Sequence, residues 1–130
     1  MIPLPLRKAK RRNETADLVR PIVVALNKLP GVWASRNNNG HAVTRNGCAI
    51  SYGLGMGSAD VVGVRRVGVY GVGEGSVSCA LFFALEVKWP GKYSSVTQRA
   101  WQERLRSLGA TVAVVHSVEE AIGVVEAMVF

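Results

Sequence analysis

Apolar positions recur along this chain with two different periods, and the changes of period outline its elements. Leu18, Ile22, Ala25, Leu26 and Leu29 recur at helical spacing and predict a first helix over Glu14 to Leu29, with Asn13 as its N-cap. Pro21 falls inside that pattern, so a late start or a kink is expected there. Pro30-Gly31 ends the helix. Val32 to Arg36 reads as a short strand, and Asn37-Asn38-Asn39-Gly40 as a turn, because Asn and Gly tolerate positive φ. Residues 41–57 hold no clean period and end in Gly53-Leu54-Gly55-Met56-Gly57. We read them as a loop that approaches a ligand closely.

Ala59 to Val64 is a valine-rich strand candidate. Val67 to Ser78 alternates glycine with other residues and reads as a loose turn. With a strand over Cys79 to Lys88 it forms an antiparallel hairpin. Within that strand, Leu81-Phe82-Phe83-Ala84-Leu85 runs straight into Glu86-Val87-Lys88, the signature of a strand buried on both faces. Trp89-Pro90-Gly91 stops it. Ser94 or Ser95 caps a helix that reaches about Leu108, with Trp101, Leu105 and Leu108 on its inner stripe and Gly109 at its end. Thr111 to Val115 is a further apolar strand. Ser117 then caps a last helix, with Glu119 and Glu120 in its first turn. Strand, helix, strand over residues 79 to 115 is a βαβ unit, so its two strands should be parallel.

The chain holds 130 residues, enough for one domain over 13–130 behind a basic arm over 1–12. The arm carries Arg7, Lys8, Lys10, Arg11 and Arg12. Sixteen Lys and Arg against nine Asp and Glu give +7, which points to a polyanionic partner. Nucleic acid is favoured over membrane, since no segment pairs a strong apolar face with a basic one. No apolar run reaches membrane-spanning length, and Met1 to Leu6 is too short for a signal-peptide core, so a soluble intracellular protein is expected. Cys48 and Cys79 fit neither a disulfide framework nor a zinc site and are read as buried free thiols. His41 and His116 have no ligand partner at metal spacing. The Gly71-x-Gly73-x-Gly75 series is no phosphate loop, because no Lys-Ser/Thr and no helix follow it.

Chemistry concentrates at the end of the apolar strand. Side chains alternate faces along a strand, so Glu86 and Lys88 point the same way, roughly 7 Å apart. A solvated ion pair is one account of them, and a hydrolytic metal site is the other. If the strands from 59 and 79 pair antiparallel, Asp60 falls beside Glu86 and Lys88. Two carboxylates at adjoining strand ends suit Mg²⁺, a hard cation that takes oxygen ligands and keeps several waters. The backbone carbonyl of Val87 is a candidate third ligand. Such a cation lowers the pKa of a coordinated water and screens charge on a phosphate, and Lys88 would hydrogen-bond the water and a phosphate oxygen.

The series Gly57-Ser58-Ala59-Asp60, Glu86-Val87-Lys88, Gly91-Lys92, then Gln98 with Trp101, Leu105 and Gly109-Ala110, resembles the VRR-NUC branch of the PD-(D/E)xK nucleases. The ending, Leu108 to Val115 followed by Ser117-Val118-Glu119-Glu120-Ala121, is similar to that branch as well. Together the match covers about residues 57 to 120. The resemblance implies a restriction-endonuclease-like α/β core, a central mixed sheet of about four strands in the order αβββαβα. It implies a Mg²⁺- or Mn²⁺-dependent phosphodiesterase acting on DNA. Asp60 and Glu86 would ligate the metal, Lys88 would be the catalytic lysine, and Gln98 matches a glutamine beside the site. In related resolvases an acid on the first helix joins the metal cluster; Glu14 is the best match here and Asp17 the second. Ala59 stands where the family name has proline. The small size implies a homodimer acting on branched DNA, such as flaps or Holliday junctions.

For DNA contact, Arg36, Lys92, Tyr93 and Arg99 join the arm, since aromatics interleaved with basic groups suit a nucleic-acid groove. Trp33, beside Arg36, reads as core or as a base-stacking residue. Charge spread along the chain without a recognition motif favours selection of DNA by shape. The leading expectation is therefore a structure-selective, metal-dependent endodeoxyribonuclease of DNA repair or recombination. The alternatives are a non-catalytic DNA-binding module on the same fold, and a structural protein whose charge serves solubility.

Overall fold

The computed structural model describes residues 13–70 and 76–129. The basic arm and the Gly71–Gly75 series fall outside them. A π-helical turn, Thr15–Val19, leads into α1 (Arg20–Asn27). Strand β1 (Val32–Arg36) is followed by a hairpin of β2 (Gly40–Val43) and β3 (Ala49–Tyr52). Then come β4 (Val61–Tyr70), β5 (Ser76–Val87), α2 (Val96–Ser107), β6 (Thr111–Val115) and α3 (Val118–Glu126). The main sheet has four strands in the order β1-β4-β5-β6, and β2-β3 forms a separate two-stranded ribbon. β1, β4 and β5 pair antiparallel, while β6 joins β5 in parallel across the α2 crossover, as the βαβ reading requires.

Each face of the sheet has its own cover. Ala34, Val61, Phe83, Leu85, Val87 and Val115 pack against Val19, Ile22 and Leu26 of the first helix and Ala121 and Val125 of α3. Gly63 sits where the Phe83 ring and the Trp33 carbonyl come together, so any larger residue there would collide with both. On the opposite face a smaller cluster joins Ala59, Ala84 and Val112 to Trp101 and Leu105 of α2. Trp101 is therefore a packing residue. Trp33, by contrast, is exposed.

Several expectations change. The first helix is not a uniform α-helix to Leu29. Asn13 caps it, its Oδ1 accepting the Ala16 N–H at 3.2 Å. The turn before Pro21 then widens, and the Arg20 N–H bonds the Thr15 carbonyl five residues back. A proline cannot donate and crowds the carbonyl four residues before it, and the wide turn accommodates both. The helix ends at Asn27, whose amide bonds back to the Val23 carbonyl at 3.0 Å and also bridges to β1. Its Nδ2 donates to the Ala34 carbonyl at 2.8 Å, and its Oδ1 accepts the Ala34 N–H at 3.0 Å.

The stretch over 41–57 is not all loop, since it contains the β2–β3 ribbon. Its register pairs Gly40 with Tyr52 and Val43 with Ala49. Nor is 67–78 a loose turn: β4 and β5 continue to pair out to Tyr70 and Ser76. The β-branched Val67 and Val77 sustain a ladder that the intervening glycines alone would weaken. Cys48 is exposed in the β2–β3 hairpin and Cys79 half-buried, so neither is the buried thiol expected, though both are free. Leu108 is exposed as well, because it caps α2 with φ −91° and ψ 1° and has left the helical stripe. Among the described residues no helix is long and apolar enough to cross a membrane.

Candidate active site

Strand register alone assembles the centre of the site. β1 pairs with β4 so that Arg36 faces Val61, and β4 with β5 so that Val61 faces Leu85. One step further, Asn37, Asp60 and Glu86 form a row across three chain segments, at the end of the sheet beyond the last pairs of β1–β4 and β4–β5. Glu86 continues the row into β6, where it faces Val114. By strand alternation Ala84, Glu86 and Lys88 project to the face that α2 covers.

Asp60 follows buried Ala59 and stands just ahead of β4. Its Oδ2 accepts the backbone N–H of Val87 at 2.8 Å, which fixes it beside the Glu86–Val87 peptide. Glu86 is only 1% exposed. Its Oε1 accepts from Gln98 Nε2 at 2.8 Å and lies 3.4 Å from Lys88 Nζ. Its Oε2 is buried with no hydrogen-bond partner. Burial, and after it the negative charge of Asp60, pushes the Glu86 carboxyl from 4.5 up to about 8, with Lys88 pulling less strongly the other way. A buried carboxylate beside a second carboxylate, with one oxygen bare, is short of positive charge. It holds either a proton or a cation.

The helix after the strand holds its part of the site by its own cap. Ser95 Oγ accepts the Gln98 N–H at 3.2 Å, and Gln98 Oε1 accepts the Ser95 N–H at 2.8 Å. This capping box commits Gln98 Oε1 as acceptor, so its Nε2 is the atom that reaches Glu86. Lys88 is held by backbone bonds: its N–H donates to the Val115 carbonyl at 3.0 Å, and its carbonyl lies 3.1 Å from His116 Nδ1.

Asp60 and Gln98 line an open cleft of about 420 Å³ together with Thr15, Arg36, Asn37 and Thr97. Arg36 is exposed within it. Lys92, Tyr93 and Arg99 are exposed too, but they do not line this cleft. The acid expected from the first helix is not at the site. Among the described residues no group of three His, Cys, Asp or Glu side chains is placed to hold a metal, so neither Glu14 nor Asp17 adds to the pair. Asp17 Oδ2 instead accepts the Asn13 N–H at 2.9 Å. Thr15 and Val19, the first and last residues of the π turn, line the cleft.

Asn37 is the residue that pattern reading missed. The sequence pattern marks it only as part of a turn. Its N–H donates to the Asp60 carbonyl at 2.7 Å, and its Nδ2 donates to Ser58 Oγ at 2.8 Å and to the Ala59 carbonyl at 2.9 Å. It thereby anchors the segment that carries Asp60. No local signal marks it, because these partners of its N–H and Nδ2 lie more than twenty residues away along the chain. His41, with its Nδ1 2.8 Å from Ser51 Oγ, lies on the exposed ribbon. Comparison of the chain with family models, with curated proteins and with solved structures finds no match.

Proposed function

We propose that this chain is a divalent-metal-dependent nuclease that hydrolyses phosphodiester bonds in DNA, with a restriction-endonuclease-like core. The observation that carries the reading is the unpartnered, buried Glu86 Oε2 beside the Asp60 carboxylate, with Lys88 Nζ 3.4 Å from the other Glu86 oxygen. A structural ion pair needs one acid for one amine. Here Lys88 pairs with Glu86 alone, while the Asp60 charge stands beside that same buried carboxyl, and the surplus negative charge fits a hard cation. Apart from the β2–β3 ribbon, the element order is helix, three strands, helix, strand, helix, which agrees with the αβββαβα order of that core. The run Asp60, Glu86-Val87-Lys88 and Gln98, which resembles the VRR-NUC motif, supports the same conclusion.

The donor set fits Mg²⁺ or Mn²⁺: Asp60 and Glu86 would hold it. The Val87 carbonyl would be a third ligand, because it lies on the strand edge whose N–H Asp60 occupies. When bound, the ion would supply charge for a phosphate oxygen and acidify a water. Gln98 holds Glu86 by its Oε1, leaving Oε2 free. Lys88, 19% exposed, offers its ammonium to a water and to the attacked phosphate. Arg36 at the cleft rim, with the excess of cations in the chain, would draw in the DNA backbone. Branched DNA is the proposed substrate, and a pair of chains the proposed working form.

The test compares wild type with Glu86→Gln and Lys88→Ala on linear, flap and four-way-junction DNA, with Mg²⁺ and with EDTA. Cleavage by wild type alone, abolished by EDTA, is the expected result. Equal activity of the three proteins, or activity that survives EDTA, would overturn the reading.

A further inference from the structure

At the lip of the same cleft, the chain between β3 and β4 exposes apolar side chains that no packing explains. Leu54 is 53% and Met56 69% exposed, and neither belongs to a core cluster. The loop that carries them is firmly tied down. Asn37 Oδ1 accepts the Leu54 N–H at 3.2 Å, and the Gly55 carbonyl accepts both the N–H and the Oγ of Ser58, at 3.2 and 2.6 Å. Gly53, Gly55 and Gly57 all adopt positive φ, at 85°, 101° and 80°. A Cβ at Gly53 would come 2.7 Å from the Asn38 carbonyl, and one at Gly57 2.6 Å from the Thr97 carbonyl. Gly53 and Gly57 thus let the loop press against the end of β1 and the start of α2. The residues between them, Leu54 and Met56, are left facing water.

Met56 shares the cleft lining with Arg36 and Asp60. An apolar group fixed beside a cationic and an acidic cleft wall meets whatever flanks the bound phosphate. In DNA that neighbour is a base. Apolar wedges such as Leu and Met enter between base steps, unstack them and kink the duplex. The unbranched, polarizable Met side chain fits the irregular gap that opens. Unstacking is easiest where the duplex is already interrupted.

We propose that Leu54 and Met56 form a wedge that inserts against the bases at a DNA branch or frayed end and so presents the adjoining phosphate to the Asp60–Glu86 pair. The wedge deepens the nuclease reading by naming what selects the substrate, and it rests on that reading. Positive charge at the rim attracts any DNA, whereas the wedge favours DNA whose stacking is already broken.

The test uses the full chain in EDTA, so that no strand is cut, and a four-way junction carrying 2-aminopurine at the branch point. Wild type should raise the 2-aminopurine fluorescence on binding, reporting an unstacked base. Leu54→Ala/Met56→Ala should lose that rise, bind the junction about tenfold more weakly, and bind linear duplex as wild type does. Met56→Leu should restore the signal. An undiminished rise in the double variant overturns the wedge, as does an equal loss on linear duplex. A dimer that falls apart in the double variant, with the fluorescence rise intact, also overturns it and assigns the patch to a second copy of the chain. A wild type that unstacks the branch base but never cleaves in Mg²⁺ refutes the nuclease reading and leaves the wedge standing.

Discussion

Strand β5 presents Phe83, Leu85 and Val87 to one face of the sheet and Phe82, Ala84 and Glu86 to the other. The first three are fully buried in an apolar cluster with α1 and α3. The second three meet α2 through a smaller cluster, and at Glu86 that face turns from apolar to ionisable. Both faces are equally dry at this end of the strand. Only one spends all of its burial on packing. The other holds a carboxyl with an unused oxygen, a costly arrangement that a ligand at the site would relieve. Apolar packing and an unsatisfied carboxyl are thus divided between alternate residues of a single strand.

Substitutions on the two faces should separate accordingly. The largest effect is expected at Glu86→Gln, a near-isosteric change that leaves Gln98 its acceptor. Cleavage should fall on the order of 10³-fold or more while stability at pH 7 stays within about 1 kcal/mol. Kinetics with a denaturant melt of the same preparation checks both. Leu85→Ala, one residue away, should reverse the pattern. It should cost about 2–5 kcal/mol of unfolding free energy by denaturation, yet leave the folded fraction with its metal affinity intact.

The pH response sharpens the same contrast. Glu86 titrates at about 8 in the folded chain against 4.5 as an ordinary glutamate, so the metal-free fold holds an extra proton between those values. Its stabilising contribution is complete below 4.5 and is lost as pH rises through about 8, a loss on the order of a few kcal/mol. Thermal midpoints in EDTA should fall across that window, and Glu86→Gln should flatten the decline. Under the proposed reading Mn²⁺ would replace the proton, so its stabilising shift should grow as pH rises. A shift that is the same at every pH would contradict this coupling.

The smallest effect is expected at Gln98→Ala. It removes the bond to Glu86 and half of a capping box, so cleavage should drop about 10–100-fold and stability by about 1 kcal/mol. Gln98→Glu would keep the cap but place a third carboxylate against Glu86. Its activity should fall at least as far, which separates orientation of Glu86 from support of the helix.

How far the sequence disclosed these features follows from the range of the forces involved. The β5 run, the α2 cap (narrowed to Ser94 or Ser95), the Ser117 cap and the parallel β5–β6 pair are legible, because each rests on a contiguous pattern. Asp60 beside Glu86 was legible because antiparallel pairing of neighbouring strands fixes which ends meet. The β2–β3 ribbon was not, since both its faces are exposed and no alternation of apolar and polar residues marks it. The π turn was visible only as the awkward Pro21. The resemblance put Glu14 with the acids, but no third acid joins Asp60 and Glu86 among the described residues. Asn37 was invisible for a different reason: its role depends on register between distant segments, and a turn-type Asn looks the same wherever it lands.

The most direct measurement is the anomalous scattering of Mn²⁺ soaked into crystals of the wild-type chain above pH 8. One peak should lie within direct coordination of Asp60 and of Glu86 Oε2, and it should be missing from Glu86→Gln crystals treated alike. A saturated soak with no density between those two carboxylates, or an equal peak in the variant, would contradict the account.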